Sequence, residues 1–199
     1  PAPRPWGHPP FPPFPPVYYV EADPLLAEFT IRHILPRRGI AARPEEVLIT
    51  LGAQNALWLT AQVLLTQRRR AVLEDPCYPS LSVILGQSRC HISPVPVDQH
   101  GLPPEAIPPG TDVIFTTPSH QCPPHATMPV ERRRALLARA RAMGALIVED
   151  DYEFELSFPE PPSPALTSPD DEARVNHGGR FVQPPLPGRG RGEHVGRGP

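Results

Sequence analysis

Short apolar segments with strand character alternate with segments of helical periodicity between residues 46 and 148. The strand-like segments are EVLIT (46–50), AVLE (71–74), HISPVPV (91–97), DVIFTT (112–117) and ALIV (145–148). Residues 53–65, 79–85 and 129–143 carry apolar side chains at the three- and four-residue spacing of a helix. This alternation predicts βαβ units, which build a mostly parallel sheet flanked by helices.

The two ends of the chain depart from this pattern. Proline supplies 33 of the 199 residues, and its density in residues 1–22 excludes helix and central strand, because proline lacks an N–H and fixes φ. A helical pattern follows at 24–35, whereas residues 175–199 combine Gly, Pro and Arg without periodicity. We therefore predict a disordered Pro-rich segment at 1–22, an incomplete α/β domain at 23–174 without its last strands, and a disordered tail at 175–199.

Charge and cysteine content exclude several classes of protein. The chain has 19 basic and 21 acidic residues, a formal net charge of −2, which indicates neither a nucleic-acid-binding protein nor a protein of anionic membranes. No apolar run is long enough to span a bilayer. Three cysteines far apart do not make a disulfide framework and are typical of a reducing compartment, so we predict a cytoplasmic location.

Candidate ligand-binding residues follow the predicted strands, because open parallel sheets bind ligands beyond the carboxyl ends of their strands. After the first strand, Gly52, Ala53 and Gln54 open a helix whose N–H groups suit a phosphate, although such a glycine often only shapes a turn. After the second, two prolines of EDPCYP (74–79) hold Tyr78 where its ring could stack on a planar ligand or pack on its neighbours.

Two further strand ends carry polar side chains. In PSHQCPPH (118–125), His120, Cys122 and His125 are potential zinc ligands, but their spacing matches no common zinc pattern, and we predict no metal. The acidic run EDDYEFE (149–155) could bind a cation, a metal or a protonated pyridine nitrogen, or form a solvated turn.

Five segments, in this order, resemble the aminotransferase-like domain of MocR-type (GntR-family) transcription regulators, a branch of the fold-type-I pyridoxal-phosphate-dependent aminotransferases. They are ITLGAQNALWL (49–59), EDPCYPSL (74–81), VPVDQHGLP (95–103), TTPSHQCPPHATMPVERRRALLARA (116–140) and ALIVEDDYEFELSF (145–158). The resemblance extends from about Asp23 to about Arg174. It implies an α/β fold and pyridoxal 5′-phosphate as the cofactor.

The resemblance also implies a role for each strand end. Gly52, Ala53 and Gln54 would hold the cofactor phosphate, and Tyr78 would stack on the pyridine ring. Asp150 would pair with the pyridinium nitrogen and keep it protonated, so that the ring can accept electrons.

Two contacts to the phenolic oxygen of the cofactor are implied as well. Tyr152 would donate a hydrogen bond to this oxygen. Members of the wider superfamily have Asn-Pro-Thr-Gly after the fourth strand, and its asparagine contacts the same oxygen. This chain has Cys122 at the aligned position, so His120 or Gln121 would have to replace the asparagine.

Enzymes of this superfamily hold the cofactor as a Schiff base with a lysine, which in this family lies on a serine-rich turn past the Asp-Tyr strand. This chain contains no lysine, and the expected region, 175–185, has lost the family pattern. Arginine cannot replace lysine, because its guanidinium group stays protonated and is not a nucleophile. We therefore predict no catalytic residue and, at best, non-covalent cofactor binding.

The chain is thus predicted to be a fragment whose parent either transaminates amino acids or senses an amino-acid or amine effector. The parent is expected to be a homodimer without a membrane partner, and to contact DNA only through a winged-helix domain outside this chain. The missing lysine favours an alternative, a non-catalytic interaction or effector-binding module. A third hypothesis uses the ends, where PPFPPFPP (9–16) suits aromatic-lined grooves and RGRGEHVGRGP (189–199) suits RNA.

Overall fold

A twisted sheet of seven strands forms the centre of the computed structural model, which describes residues 24–123, 126–151, 164–166, 175–181 and 191–195. The strands are β1 (Val47–Thr50), β2 (Arg70–Asp75), β3 (His91–Pro96), β4 (Val113–Thr116), β5 (Leu146–Asp151), β6 (Val175–Phe181) and β7 (Arg191–Val195). The α-helices are α1 (Pro24–Phe29), α2 (Ala53–Leu64), α3 (Pro79–Gln87) and α4 (Val130–Met143). The predicted α/β class is confirmed; the Pro-rich segment 1–22 lies outside the described residues.

The strand order is β1-β7-β6-β5-β4-β2-β3. Parallel pairing joins β3, β2, β4, β5 and β6, whereas β7 runs antiparallel to both of its neighbours, β6 and β1. Six strands therefore share one direction, and their carboxyl ends meet at a single edge of the sheet. Each of the predicted ligand-binding segments that the structure describes follows one of these carboxyl ends.

The prediction for the end of the chain is wrong at 175–181 and 191–195, which form β6 and β7. β6 pairs with β5 over five residues, and Val175 and His177 are buried. Strand pairing uses backbone groups, so a segment with few apolar side chains can still complete a sheet beside a strongly apolar strand. The remaining residues of the predicted tail lie outside the described residues.

Apolar layers cover both faces of the sheet, and side chains along a strand alternate between them. One layer, which we term the α4 face, contains Val72, Ile114, Ile147, Leu136 and Ala140. The other, the α2/α3 face, contains Leu73, Phe115, Val148, Leu57 and Leu85. Consecutive residues at the end of a strand therefore point to opposite faces.

The helical pattern predicted at 24–35 is not one regular helix. After α1 the chain widens into a π turn at Thr30–Ile34 and then tightens into a 3-10 turn at Leu35–Arg38. Burial of Leu35 and Arg38 at the end of this segment brings an arginine into the interior. Among the described helices, none has the length and apolar character that crossing a membrane requires.

Candidate functional site

The start of α2 and the connection from β2 to α3 lie side by side at the carboxyl edge of the sheet. Nε2 of Gln54 donates to Oη of Tyr78 over 2.5 Å and to Oγ of Ser80 over 3.1 Å. Two of the predicted cofactor-binding residues are thus in direct contact. Ser80 is a polar neighbour that sequence reasoning missed, although its place in the first turn of the helix after Tyr78 was a usable signal.

Gly52 caps α2 with a backbone conformation that only glycine adopts readily. Its φ is 109° and its ψ is 168°, a region essentially closed to residues with a Cβ. No side chain caps this 12-residue helix, whose first turn includes Ala53 and Gln54. The turn can therefore present backbone N–H groups and the positive end of the helix dipole to an anion.

A buried carboxylate joins the end of β2 to the end of β4. Glu74 accepts hydrogen bonds from the hydroxyl groups of Thr116 and Thr117, each over 2.6 Å. Burial raises the pKa of Glu74 against these hydrogen bonds, which favour its charged form. Nε2 of Gln121 donates to the carbonyl oxygen of Pro76 over 2.7 Å, which fixes the connection that carries Tyr78.

The three acidic residues at the end of β5 belong to the strand rather than to a solvated turn. Glu149, Asp150 and Asp151 are all buried, with exposed fractions of 0%, 7% and 3%. Since Ile147 packs on the α4 face and Val148 on the α2/α3 face, strand alternation points Asp150 to the α2/α3 face. Asp150 is therefore the carboxylate on the side of Tyr78 and α2.

Asp150 has an electrostatic environment unlike that of a surface aspartate. Burial, followed by the negative charge of Asp151, raises the pKa of Asp150 to about 7. A carboxyl group with this pKa is about half protonated near neutral pH, and a cationic ligand atom beside it would favour ionisation. Groups with this combination of burial and perturbed pKa are concentrated at functional sites.

The remaining predicted site residues are less well defined. His120 is half-buried in the connection from β4 to α4, beside the buried Gln121, at the same edge of the sheet. Tyr152 and His125 lie outside the described residues, so the proposed contact of Tyr152 remains a prediction.

Taken together, these residues fit a phosphorylated pyridine. The glycine turn, Gln54 and Ser80 offer donors to a phosphate, and the half-buried ring of Tyr78 offers an aromatic face. Asp150 offers the carboxylate that a protonated ring nitrogen requires.

A second group of charged residues, missed by sequence reasoning, lies on the α4 face. We call it the charged layer; it consists of Arg38, Arg133, Glu149, Asp151 and His177, all at most 4% exposed. Glu149 accepts hydrogen bonds from the backbone N–H of Leu166 and contacts Nδ1 of His177 over 3.0 Å. Nε of Arg38 lies 2.6 Å from Oδ2 of Asp151, an ion pair whose N–H direction is not that of a hydrogen bond.

Glu149 and His177 shift each other's pKa values. Burial acts to lower the pKa of His177, but the hydrogen bond and charge of Glu149 outweigh it and raise that pKa above its ordinary value. Burial likewise acts to raise the pKa of Glu149, but His177 and Arg38 hold that pKa below its ordinary value. Each partner therefore favours the charged form of the other.

Arg133 fastens the connection from β4 to α4. Its Nε donates to the carbonyl oxygen of Met128, Nη2 to that of Pro118 and Nη1 to that of Pro164, each over 2.9 Å. Since Pro118 and Met128 flank this connection, Arg133 holds both of its ends. The charged layer thus stabilises, on the α4 face, the same edge of the sheet where Tyr78 and Asp150 lie on the α2/α3 face.

Comparisons with known proteins identify relatives of this chain. The chain is 54% identical over 170 residues, 85% of its length, to the HTH-type transcriptional regulator TauR of Rhodobacter capsulatus, of which it covers 35%. It is 32% identical over 171 residues to the probable rhizopine catabolism regulatory protein MocR of Rhizobium meliloti, covering 85% of this chain and 35% of that protein. The chain is a homologue of MocR-type regulators and of fold-type-I aminotransferases. No protein-family model matches it.

A solved aminotransferase structure has a similar fold to this chain. LysN, the α-aminoadipate aminotransferase of Thermus thermophilus in complex with N-(5′-phosphopyridoxyl)-L-leucine, superimposes with a TM-score of 0.71 at 28% identity. The superposition covers 86% of this chain and 51% of LysN. The chain therefore has the fold of the aminotransferase-like domain, and it spans about a third of the length of the curated regulators it matches.

Proposed function

We propose that this chain is a cofactor-binding part of an aminotransferase-like domain that binds pyridoxal phosphate, or a related phosphorylated pyridine, without a covalent bond. Asp150 carries the proposal, because it is buried and strand alternation directs it to the face where Tyr78 and the start of α2 lie. In this proposal the Gly52 turn, with Gln54 and Ser80, binds the phosphate. Tyr78 stacks on the ring, and the carboxylate of Asp150 accepts a hydrogen bond from the protonated ring nitrogen.

When bound, such a cofactor supplies an electron sink for negative charge at the α-carbon of an amino acid. This chain's own residues orient the ring, exclude water from Asp150 and hold a proton between Asp150 and the ring nitrogen. They contain no primary side-chain amine, because the sequence has no lysine. The proposed role is therefore recognition of the cofactor or of an amino-acid effector joined to it, rather than transamination by this chain.

Equilibrium binding of pyridoxamine 5′-phosphate tests the site, because this ligand lacks an aldehyde that could react with amines at random. Asp150→Asn should weaken binding by about 10- to 100-fold, the loss expected for a hydrogen bond to a charged group. Asp112→Asn is the matched control, since Asp112 lies at the opposite end of β4 and should leave binding unchanged. Equal affinity of the Asp150→Asn variant and the parent chain would refute the site.

Covalent attachment is tested separately with pyridoxal phosphate and borohydride. Peptide mapping after reduction should find no cofactor on any internal peptide, because no side chain of this sequence can form the bond. The N-terminal amine of the chain can react with the aldehyde, so a label on the N-terminal peptide is not counted. A labelled internal peptide would contradict the proposal.

A further inference from the structure

The amino ends of β2 and β3, at the edge of the sheet opposite the proposed cofactor site, display a cluster of exposed arginines. We call the group of Arg68, Arg69, Arg70 and Arg89 the arginine patch. All four are exposed. Parallel pairing places Arg70 beside His91, and the N–H of His91 donates to the carbonyl oxygen of Arg69. Since adjacent strands are about 4.8 Å apart, the turn that carries Arg89 lies next to the segment that carries the other three.

Six other arginines of the described residues pair with carboxylates or are buried, whereas Arg37 is exposed without a carboxylate partner among the described residues and lies outside the patch. Arg32, Arg43, Arg132 and Arg134 form ion pairs with carboxylates close by, and Arg38 and Arg133 are buried in the charged layer. Among the described residues, Arg69 alone in the arginine patch has such a partner, Asp112, at a distance of 3.8 Å. Asp112 also accepts a hydrogen bond from the backbone N–H of Arg70. Within the described part of the chain, no carboxylate lies within ion-pair distance of the guanidinium groups of Arg68, Arg70 and Arg89.

Three unpaired guanidinium groups on one surface repel each other and favour an anionic partner. The whole chain has a net charge of −2, so this positive charge is a local feature and not a consequence of composition. A guanidinium group binds phosphate oxygens with two parallel hydrogen bonds, and duplex DNA offers phosphates at regular spacing. The curated relatives are HTH-type regulators, which makes duplex DNA the polyanion that a protein of this kind meets.

We propose that the arginine patch contacts the phosphate backbone of duplex DNA, in addition to any contact made by a DNA-binding domain. This proposal departs from our expectation that DNA is contacted only through a domain outside this chain. The contact is independent of base sequence, because it is made to phosphates alone. It leaves the proposed cofactor site free, since the two surfaces lie at opposite ends of the parallel strands.

The test is binding of the full 199-residue chain to a fluorescently labelled duplex of mixed sequence, measured by anisotropy from about 50 to 200 mM salt. The patch variant combines Arg68→Gln, Arg70→Gln and Arg89→Gln. A control variant with the same charge change combines Arg32→Gln, Arg37→Gln and Arg134→Gln, which are exposed arginines outside the patch.

The patch variant should bind at least about 10-fold more weakly than the control variant at about 0.1 M salt. Its salt dependence, the slope of log K against log salt, should fall by about 2 to 3, since each phosphate contact contributes about 0.9. Equal affinities and slopes for the two variants would overturn the proposal. Binding of heparin or an acidic protein without measurable binding of the duplex would overturn it as well. Circular dichroism and pyridoxamine phosphate binding should be the same in both variants, so failure of the DNA contact is separable from failure of the cofactor site.

Discussion

Replacement of Asp150 by asparagine should stabilise the fold although it damages the proposed site. Asp150 is buried and its pKa is raised from 3.8 to about 7, so the folded state holds a proton that the unfolded chain has already released at neutral pH. Ionisation of Asp150 in the folded state therefore lowers the free energy of unfolding. Asparagine has nearly the same shape and no charge, so it does not incur this cost.

The magnitude follows from linkage between protonation and folding. A raised carboxyl pKa leaves stability unaffected below the unfolded pKa, reduces it as pH rises from about 4 to 7, and has no further effect above the folded pKa. A shift of about 3 pKa units corresponds to about 4 kcal/mol, at about 1.4 kcal/mol per unit. The Asp150→Asn variant should therefore match the parent chain near about pH 4 and exceed its free energy of unfolding by about 4 kcal/mol near about pH 8.

Urea unfolding followed by circular dichroism across this pH range measures the difference directly. Asp112→Asn provides the matched control, because Asp112 is partly exposed and its loss should cost about 1 kcal/mol with little dependence on pH. A stability difference that is independent of pH, or a variant less stable than the parent at high pH, would refute the burial of an ionisable Asp150.

Three further predictions concern single residues. Arg133→Met should destabilise the chain by about 3–5 kcal/mol in urea unfolding, because it leaves Glu149 with one fewer cation and removes a side-chain donor from three carbonyl oxygens. Arg134→Met at an exposed site should change it by about 0.5 kcal/mol or less. Gly52→Ala should cost about 1–3 kcal/mol and weaken pyridoxamine phosphate binding, while Gly86→Ala, with open space around its Cβ, should not destabilise; equal effects would contradict the role of the Gly52 turn. Because the pKa of His177 is higher in the folded than in the unfolded chain, His177 stabilises the fold fully below its unfolded pKa, and this contribution is lost as pH rises through its folded pKa. His177→Gln should therefore destabilise the chain more at about pH 6 than at high pH in thermal unfolding.

The sheet was largely predictable because its strands are local features. The ends of β1 to β4 fall within one or two residues of the predicted segments, since each is a short run of β-branched and aliphatic residues between turn signals. β5 is longer than predicted, because the sequence pattern ends the strand at Val148 and leaves the acidic run after it open between a ligand-binding strand end and a solvated turn. β6 was missed altogether, since its pairing with β5 is a property of the backbone and leaves little trace in side chains.

The charged layer was not predictable in the same way, because its contacts join distant parts of the chain. Arg38 donates to Ser119, which lies 81 residues away, and Arg133 donates to Pro164, 31 residues away. One local signal was available. Arg133, Leu136 and Ala140 are spaced as one helical face, and all three are buried, which separates Arg133 from the half-buried Arg132 and the exposed Arg134.

Strand alternation places the three acidic residues of β5 in different electrostatic environments. Glu149 and Asp151 on the α4 face have His177 and Arg38 beside them, which act to lower the pKa of both carboxyl groups, although burial still leaves the pKa of Asp151 raised. Asp150 faces the other side and has no such cation in contact among the described residues, so burial raises its pKa to about 7 and its ionisation opposes folding.

A cationic ring nitrogen would supply the missing charge at Asp150, so ligand binding and stability should depend on pH in a linked way. Pyridoxamine phosphate at one fixed concentration should raise the melting temperature of the parent chain, since a ligand that binds only the folded state stabilises it. The increase should be larger near about pH 8 than near about pH 6, because below its pKa of about 7 Asp150 must first release a proton to pair with the ring nitrogen. Asp150→Asn should abolish this pH dependence. An increase in melting temperature that is equal at both pH values would mean that the ligand does not pair with Asp150.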